Sequence, residues 1–121
     1  MKGDDQMTLS KLIGEKKRYR HYKARTEQLP ANYHTAIDAL ERYLIYFGQI
    51  TDAEIMASML EDLADLFEQS AATETPIRAI VGDDPVEFAE TFLENYAAGQ
   101  WIKKERERLT STIDLVAGNE P

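Results

Sequence analysis

The sequence predicts an all-α protein, an array or bundle of four to five helices. Apolar residues recur at three- and four-residue spacing along most of the chain. The four Pro and six Gly sit mostly where helices would start or stop, and runs of alternating β-branched residues are missing. With 121 residues, 43% of them hydrophobic, there is apolar material for one core and too little for two. A single domain is therefore expected over residues 1–121, ordered from about residue 8 to about residue 116, with ends that fray.

The first helix is expected from Thr8 to Gln28, with Thr8 or Ser10 as N-cap and Leu29-Pro30 as its end, because a residue before proline disfavours helical geometry. The second uses Pro30 near its start, carries Ile37, Leu40, Leu44 and Phe47 on one face, and meets Gly48 as the residue just past its end. Thr51-x-x-Glu54 reads as a capping box opening a third helix with an apolar stripe of Ile55, Met59, Leu60, Leu63, Leu66 and Phe67. Small and polar residues from Ser70 to Thr75 form a loop within the domain. Thr75 as cap and Pro76 as first residue begin a short helix through Ile77, Ile80 and Val81 that stops at Gly82. Asp84-Pro85-Val86-Glu87 repeats the start signal and launches the longest helix, toward Val116. Ala89, Phe92, Leu93, Tyr96, Ala97 and Trp101 make one face of it, and Ile102, Leu109, Ile113 and Val116 carry the stripe onward. Gly99 within this run costs about 1 kcal/mol relative to Ala, which makes it the place for a bend or break.

Charge is the least uniform property. The net charge is -8, yet residues 1–50 hold nine Lys/Arg against six Asp/Glu, and residues 51–100 hold one Arg against twelve acids. The positive charge concentrates in Lys16-Lys17-Arg18-Tyr19-Arg20-His21-Tyr22-Lys23-Ala24-Arg25, a basic run with interleaved aromatics of the composition a nucleic-acid surface uses. On a helix, however, Lys16, Arg20 and Lys23 fall on one flank and Arg18 and Arg25 on the other, with Tyr19, Tyr22 and Thr26 between. Charges flanking an apolar stripe lay their stems over it or pair with acidic neighbours, and Glu61, Asp62, Asp65 and Glu68 of the third helix are the expected partners. The acidic remainder of the surface would repel a polyanion.

Asp62, Asp65 and Glu68, and again Glu87, Glu90 and Glu94, share helix faces as di-metal carboxylate bundles require. Such bundles also need Glu-x-x-His, which is absent, and the only histidines are His21 and His34. No nucleophile elbow or glycine-rich phosphate loop occurs. His34 and Asp38, four apart, read as a helix-surface pair. Tyr33, Tyr43, Tyr46 and Phe47 read mainly as packing residues. Without Cys, disulfides and thiolate chemistry are excluded. The longest apolar run, Tyr43 to Phe47, is far short of a membrane span, and MKGDDQMTLS carries acids where a signal peptide carries positive charge. The cytoplasm is the expected location.

Gly14-Glu15-Lys16-Lys17, Tyr22-Lys23-Ala24-Arg25 and Leu29-Pro30 with Tyr33 resemble the opening of a small bacterial family, domain of unknown function ten-forty-eight. Leu60-Glu61-Asp62-Leu63-Ala64-Asp65-Leu66-Phe67-Glu68, the Ala71-Ala72 pair and Val81-Gly82-Asp83-Asp84-Pro85-Val86-Glu87-Phe88 resemble its middle and late blocks. The resemblance covers roughly residues 12–110. It implies a compact all-α array of four to five helices, and frequent encoding beside regulators of the PadR type. Some members carry the label DNA-binding ferritin-like protein. The ligands of that label do not carry over to this chain, and the family supplies no active-site residues.

The leading expectation is a non-enzymatic, cytoplasmic helical module that binds a protein, either a second copy of itself as a homodimer or a regulator encoded nearby. No catalytic residue, metal ligand or cofactor is assigned. The expected contact surface is the basic first helix, through Lys16, Lys17, Arg20, Lys23 and Arg25, or the segment around Trp101. The alternatives are nucleic-acid association through the basic helix, and small-molecule or metal binding between helices. No membrane partner is expected.

Overall fold

The computed structural model describes residues 2–119, with side chains from residue 14 onward except those of residues 98–100 and 103. Five helices follow one another in order: α1 (Lys2–Glu27), α2 (Ala31–Gly48), α3 (Ala53–Ala72), α4 (Ile77–Val81) and α5 (Pro85–Gly118). The described residues contain no strand. The protein is all-α.

The central element is α3, which packs against α1, α2 and α5, while α2 also packs against α4 and α5. The apolar faces converge on one core in which Tyr22 of α1, Ile37 and Leu44 of α2, and Met59, Leu63 and Phe67 of α3 are fully buried. Each such side chain stabilises the fold by roughly 1.5–3 kcal/mol relative to exposure. Ala89 and Leu93 bring α5 onto the same core.

The boundaries follow local chemistry, with some corrections. Helix α1 starts at Lys2, six residues before Thr8. Helix α3 is capped by Asp52, not by Thr51: its Oδ1 accepts the backbone N–H of Ile55 at 3.0 Å. Asp52 is equally able to cap, and choosing it shortens the helix by one residue. Pro76, not Thr75, precedes α4 as its cap residue, because the Thr75 backbone is committed elsewhere. Its N–H donates to the Ser70 carbonyl and its carbonyl accepts the Tyr33 hydroxyl. Asp84 caps α5 as expected, accepting from the N–H groups of Val86 and Glu87, with Pro85 in the first turn. Helix α5 runs uninterrupted through Gly99. Gly82 stops α4 at φ +76, where a side chain is strained.

Gly48 plays a different part from the one its position suggests. The left-handed residue at the end of α2 is Gln49 (φ 50), and Gly48 is the last helical residue. A Cβ on Gly48 would lie 2.7 Å from Leu93 Cδ1, so the glycine is where α2 and α5 approach closely. Phe47 also departs from expectation: it is 52% exposed and stacks on Tyr43 at 5.2 Å instead of entering the core.

Candidate functional site

The basic run of α1 is the first surface the sequence singled out, and most of its charge is spent inside the molecule. Toward α3, Arg18 Nε donates to Glu61 Oε2 (3.0 Å), and its Nη2 donates to Glu61 Oε1 (2.6 Å) and to Ser58 Oγ (3.3 Å). About two turns further on, Arg25 Nε and Nη2 grip Glu68 at 3.0 and 2.6 Å, and Nη2 also donates to Asp65. Toward α2, Lys23 Nζ donates to Glu41 Oε2 (3.1 Å) and lies 3.6 Å from Asp38, whose other oxygen is 3.1 Å from His34 Nε2. The two flanks of the helix thus pair with two different neighbours, and Tyr22 and Thr26 between them are buried.

Titration behaviour follows from this pairing. The hydrogen bond from Arg18 holds the Glu61 carboxyl below its ordinary value, and the Glu68 and Asp65 carboxylates raise Arg25 further into the charged range. Burial disfavours the Lys23 ammonium, yet its hydrogen bond to Glu41 and the charges around it leave its pKa above normal. Burial, then the charge of Glu41, pushes the Tyr22 phenol well up.

Of the expected contact residues, Lys23 and Arg25 are therefore held by carboxylates, while Lys16, Lys17 and Arg20 stand exposed. Lys16 and Arg20 border a shallow groove floored by Tyr19, Met56 and Leu60. Three exposed cations are few for a phosphate backbone, whose binding strength scales with the number of charges neutralised. The acids considered for a metal are also dispersed: Asp62 accepts the Tyr96 hydroxyl, Glu90 accepts the Tyr43 hydroxyl, and Asp65 and Glu68 hold Arg25. Among the described residues no three potential metal ligands converge.

A second surface is an apolar cleft of about 360 Å³ between α2, α4 and the start of α5, lined by Ala36, Leu40, Tyr43, Ile77, Val81 and Ala89. Arg78 at its edge donates through Nη1 to the carbonyls of Gly82 and Asp83. Sequence reading did not find this cleft, since it arises from three non-adjacent elements.

The third surface is the far half of α5. The near half is covered, with Ala89 and Leu93 buried and Phe92 and Tyr96 partly so. Beyond it Trp101 (65%), Ile102 (42%), Leu109 (64%), Ile113 (56%), Leu115 (70%) and Val116 (55%) are all exposed. The stripe expected to continue from Trp101 into the core is therefore on the surface. At 100° per residue, Ile102, Leu109, Ile113 and Val116 fall within about 60° of one another, roughly half a turn round the helix from Ala89 and Leu93. Trp101 sits about a quarter turn from that stripe. A helical-wheel comparison of the two halves separates these faces from sequence alone.

A five-helix array with cross-helix ion pairs and an uncovered helical arm is the class of protein that the fold and surface define. The chain belongs to the family described as Protein of unknown function (DUF1048), whose model matches residues 10–114. No curated protein and no solved structure matches it. No helix among the described residues is long and apolar enough to cross a membrane.

Proposed function

We propose that this protein is a non-enzymatic helical module of the cytoplasm that acts by docking a protein through the far half of α5. One observation carries the reading: apart from Val86, every large exposed apolar residue of α5 lies at or beyond Trp101, whereas Ala89 and Leu93 of the near half enter the core. A monomer gains nothing from displaying such a stripe, and contiguous apolar patches of this kind mark interaction sites. Of the two expected contact surfaces we favour the α5 arm, because Lys23 and Arg25 of the basic helix already hold carboxylates of α2 and α3. A second copy and a regulator of the PadR type, the latter through the family resemblance alone, are the partners to examine.

The test is capture with tagged full-length protein, wild type beside Leu109→Asp/Ile113→Asp, with and without nuclease. Recovery of a stoichiometric protein by the wild type only, insensitive to nuclease, supports the reading. Equal recovery by both proteins moves the contact away from α5, and recovery abolished by nuclease replaces it with nucleic-acid association.

The apolar cleft between α2, α4 and α5 favours a second reading, a small apolar ligand. Its volume suits a ring or a short acyl chain. Thermal stabilisation by a panel of such compounds, absent in a variant carrying Ala39→Phe at the exposed rim of the cleft, would support it.

A further inference from the structure

The far half of α5 carries more information than exposure. Ile102, Arg106, Leu109, Ile113 and Val116 follow one another at spacings of four, three, four and three. That is the seam of a coiled coil, with one charged residue in it. A surface that merely tolerates apolar residues has no reason to keep this period. The residues are placed as the period requires, since the four apolar ones are 42–64% exposed on a continuous helix.

We infer that the seam pairs with the seam of a second copy of this chain, the two α5 arms running antiparallel about a two-fold axis. The inference rests on the reading of α5 as the contact surface and names its partner. Area is one argument. The four apolar side chains expose roughly 400 Å² per copy, as much as the largest patch on a typical monomer (about 300–600 Å²), a patch that is often functional. Two copies bring together about 800 Å². With apolar atoms making up about 65% of a homodimer interface, the whole contact reaches roughly 1,200 Å², the lower edge of what specific, stable interfaces bury.

Charge supplies the orientation. Residues 101–108 hold four Lys/Arg and two Glu, whereas residues 109–121 hold two acids and no base. In an antiparallel pair the net positive stretch 101–108 of each arm lies along residues 107–114 of the other, whereas a parallel pair opposes the two positive stretches. A parallel pair would also set Arg106 against Arg106 at the same level of the seam, a like-charge contact. In the antiparallel register Ile102 of one copy meets Ile113 of the other, and Arg106 lies beside Leu109, where its stem covers apolar surface while its head reaches water.

The base of the arm fits this arrangement. A groove of about 630 Å³ opens there between α3 and α5, lined by Ile55, Tyr96, Ile102 and Arg106 among others. In the antiparallel register the end of the incoming arm, at Val116, passes Ile102 and runs toward that groove. An arm docking side by side with reversed polarity thus has a place for its tip, which a parallel arm does not reach.

Sedimentation equilibrium of the full chain gives the first readout. A concentration-dependent dimer is expected, with Leu109→Asp/Ile113→Asp raising its dissociation constant at least about a hundred-fold while helical circular dichroism is kept. If the double substitution disturbs the fold, Ile113→Ser serves in its place, because a neutral change on the exposed arm leaves the body untouched. Orientation is read by spin labels on Ala117→Cys, the natural chain having no cysteine. Antiparallel arms hold the two labels about 28 Å apart along the axis, and parallel arms bring them side by side. A monomer at every concentration overturns the inference. So does a dimer indifferent to the substitutions, or one with adjacent labels. If the chain is monomeric and still captures a different protein through the arm, the inference falls and the interaction reading stands; a monomer that captures nothing ends both.

Discussion

Helix α5 contains two regions that differ in everything but secondary structure. From Pro85 to Tyr96 it is a wall of the core: Ala89 and Leu93 are buried, Gly48 of α2 fits against Leu93, and Tyr96 donates its hydroxyl to Asp62 of α3. From Trp101 onward it has apolar residues in similar number, yet each large one is exposed. Amphipathic periodicity states that a face will be covered. It does not state whether the cover is the same chain or another one, because the hydrophobic effect rewards area removed from water whatever the source. What separates the two regions is phase round the helix: the buried face and the exposed stripe lie roughly half a turn apart.

Truncating one leucine in each region is the sharpest way to break that distinction. Leu93→Ala is expected to cost about 2–5 kcal/mol of unfolding free energy, through lost burial and a cavity beside α2. Leu109→Ala, in protein dilute enough to be monomeric, is expected to cost less than about 0.5 kcal/mol. Urea denaturation of both variants reads the difference. Comparable losses would mean that the far half of α5 is covered within its own chain.

The contact that fixes the near half gives a smaller effect. Gly48→Val is expected to destabilise by about 1–3 kcal/mol, because its branches meet Leu93 where a single Cβ already comes to 2.7 Å. Gly48→Ala should fall within about 1 kcal/mol of wild type, since a Leu methyl can move aside and alanine favours the helix. Thermal denaturation of the pair checks this. An unperturbed Gly48→Val would show that α2 and α5 do not approach so closely, and that Gly48 is a mere helix terminator.

That glycine illustrates where sequence reading succeeds and where it stops. The start of α5 was legible because Asp84-Pro85 states its chemistry locally: a carboxylate for orphan N–H groups and a preset φ. The end of α2 was legible only as an end. That Gly48 faces a close neighbour is set by Leu93, forty-five residues away, which no local rule contains. The α1 surface was half legible in the same way. The wheel divides its charges into two flanks, and of the α3 acids expected as partners for the basic run, Glu61, Asp65 and Glu68 hold Arg18 and Arg25. That Lys23 turns instead to Glu41 and Asp38 of α2 follows from packing. The cleft between α2, α4 and α5 left no local trace at all, being a property of three helix positions. For the far half of α5 the period is legible in the sequence, and its phase relative to Ala89 and Leu93 sets it apart from the buried face.

The ion pairs that hold α1 to α3 give the smallest expected effect and belong wholly to the body of the molecule. Because Arg18 holds the Glu61 carboxyl below its ordinary value of 4.5, the folded state binds that proton less readily than the unfolded chain does. The stabilisation is thus fully present above pH 4.5 and is lost as pH falls through the lower folded-state value. Both side chains keep about a third of their surface in water (33% and 34%), so the pair is screened and contributes under about 1 kcal/mol. An Arg18→Met variant is therefore expected to be slightly less stable than wild type at pH 7 and to converge with it in acid. The seam of α5 contains neither Arg18 nor Glu61, so Arg18→Met should leave dimer dissociation unchanged at every pH. Urea titrations across pH, beside sedimentation across the same range, separate the two regions. A gap between wild type and Arg18→Met that persists at low pH would show that the Arg18 side chain acts through its packing on Ser58 and the surface of α3, and not through the charge of Glu61.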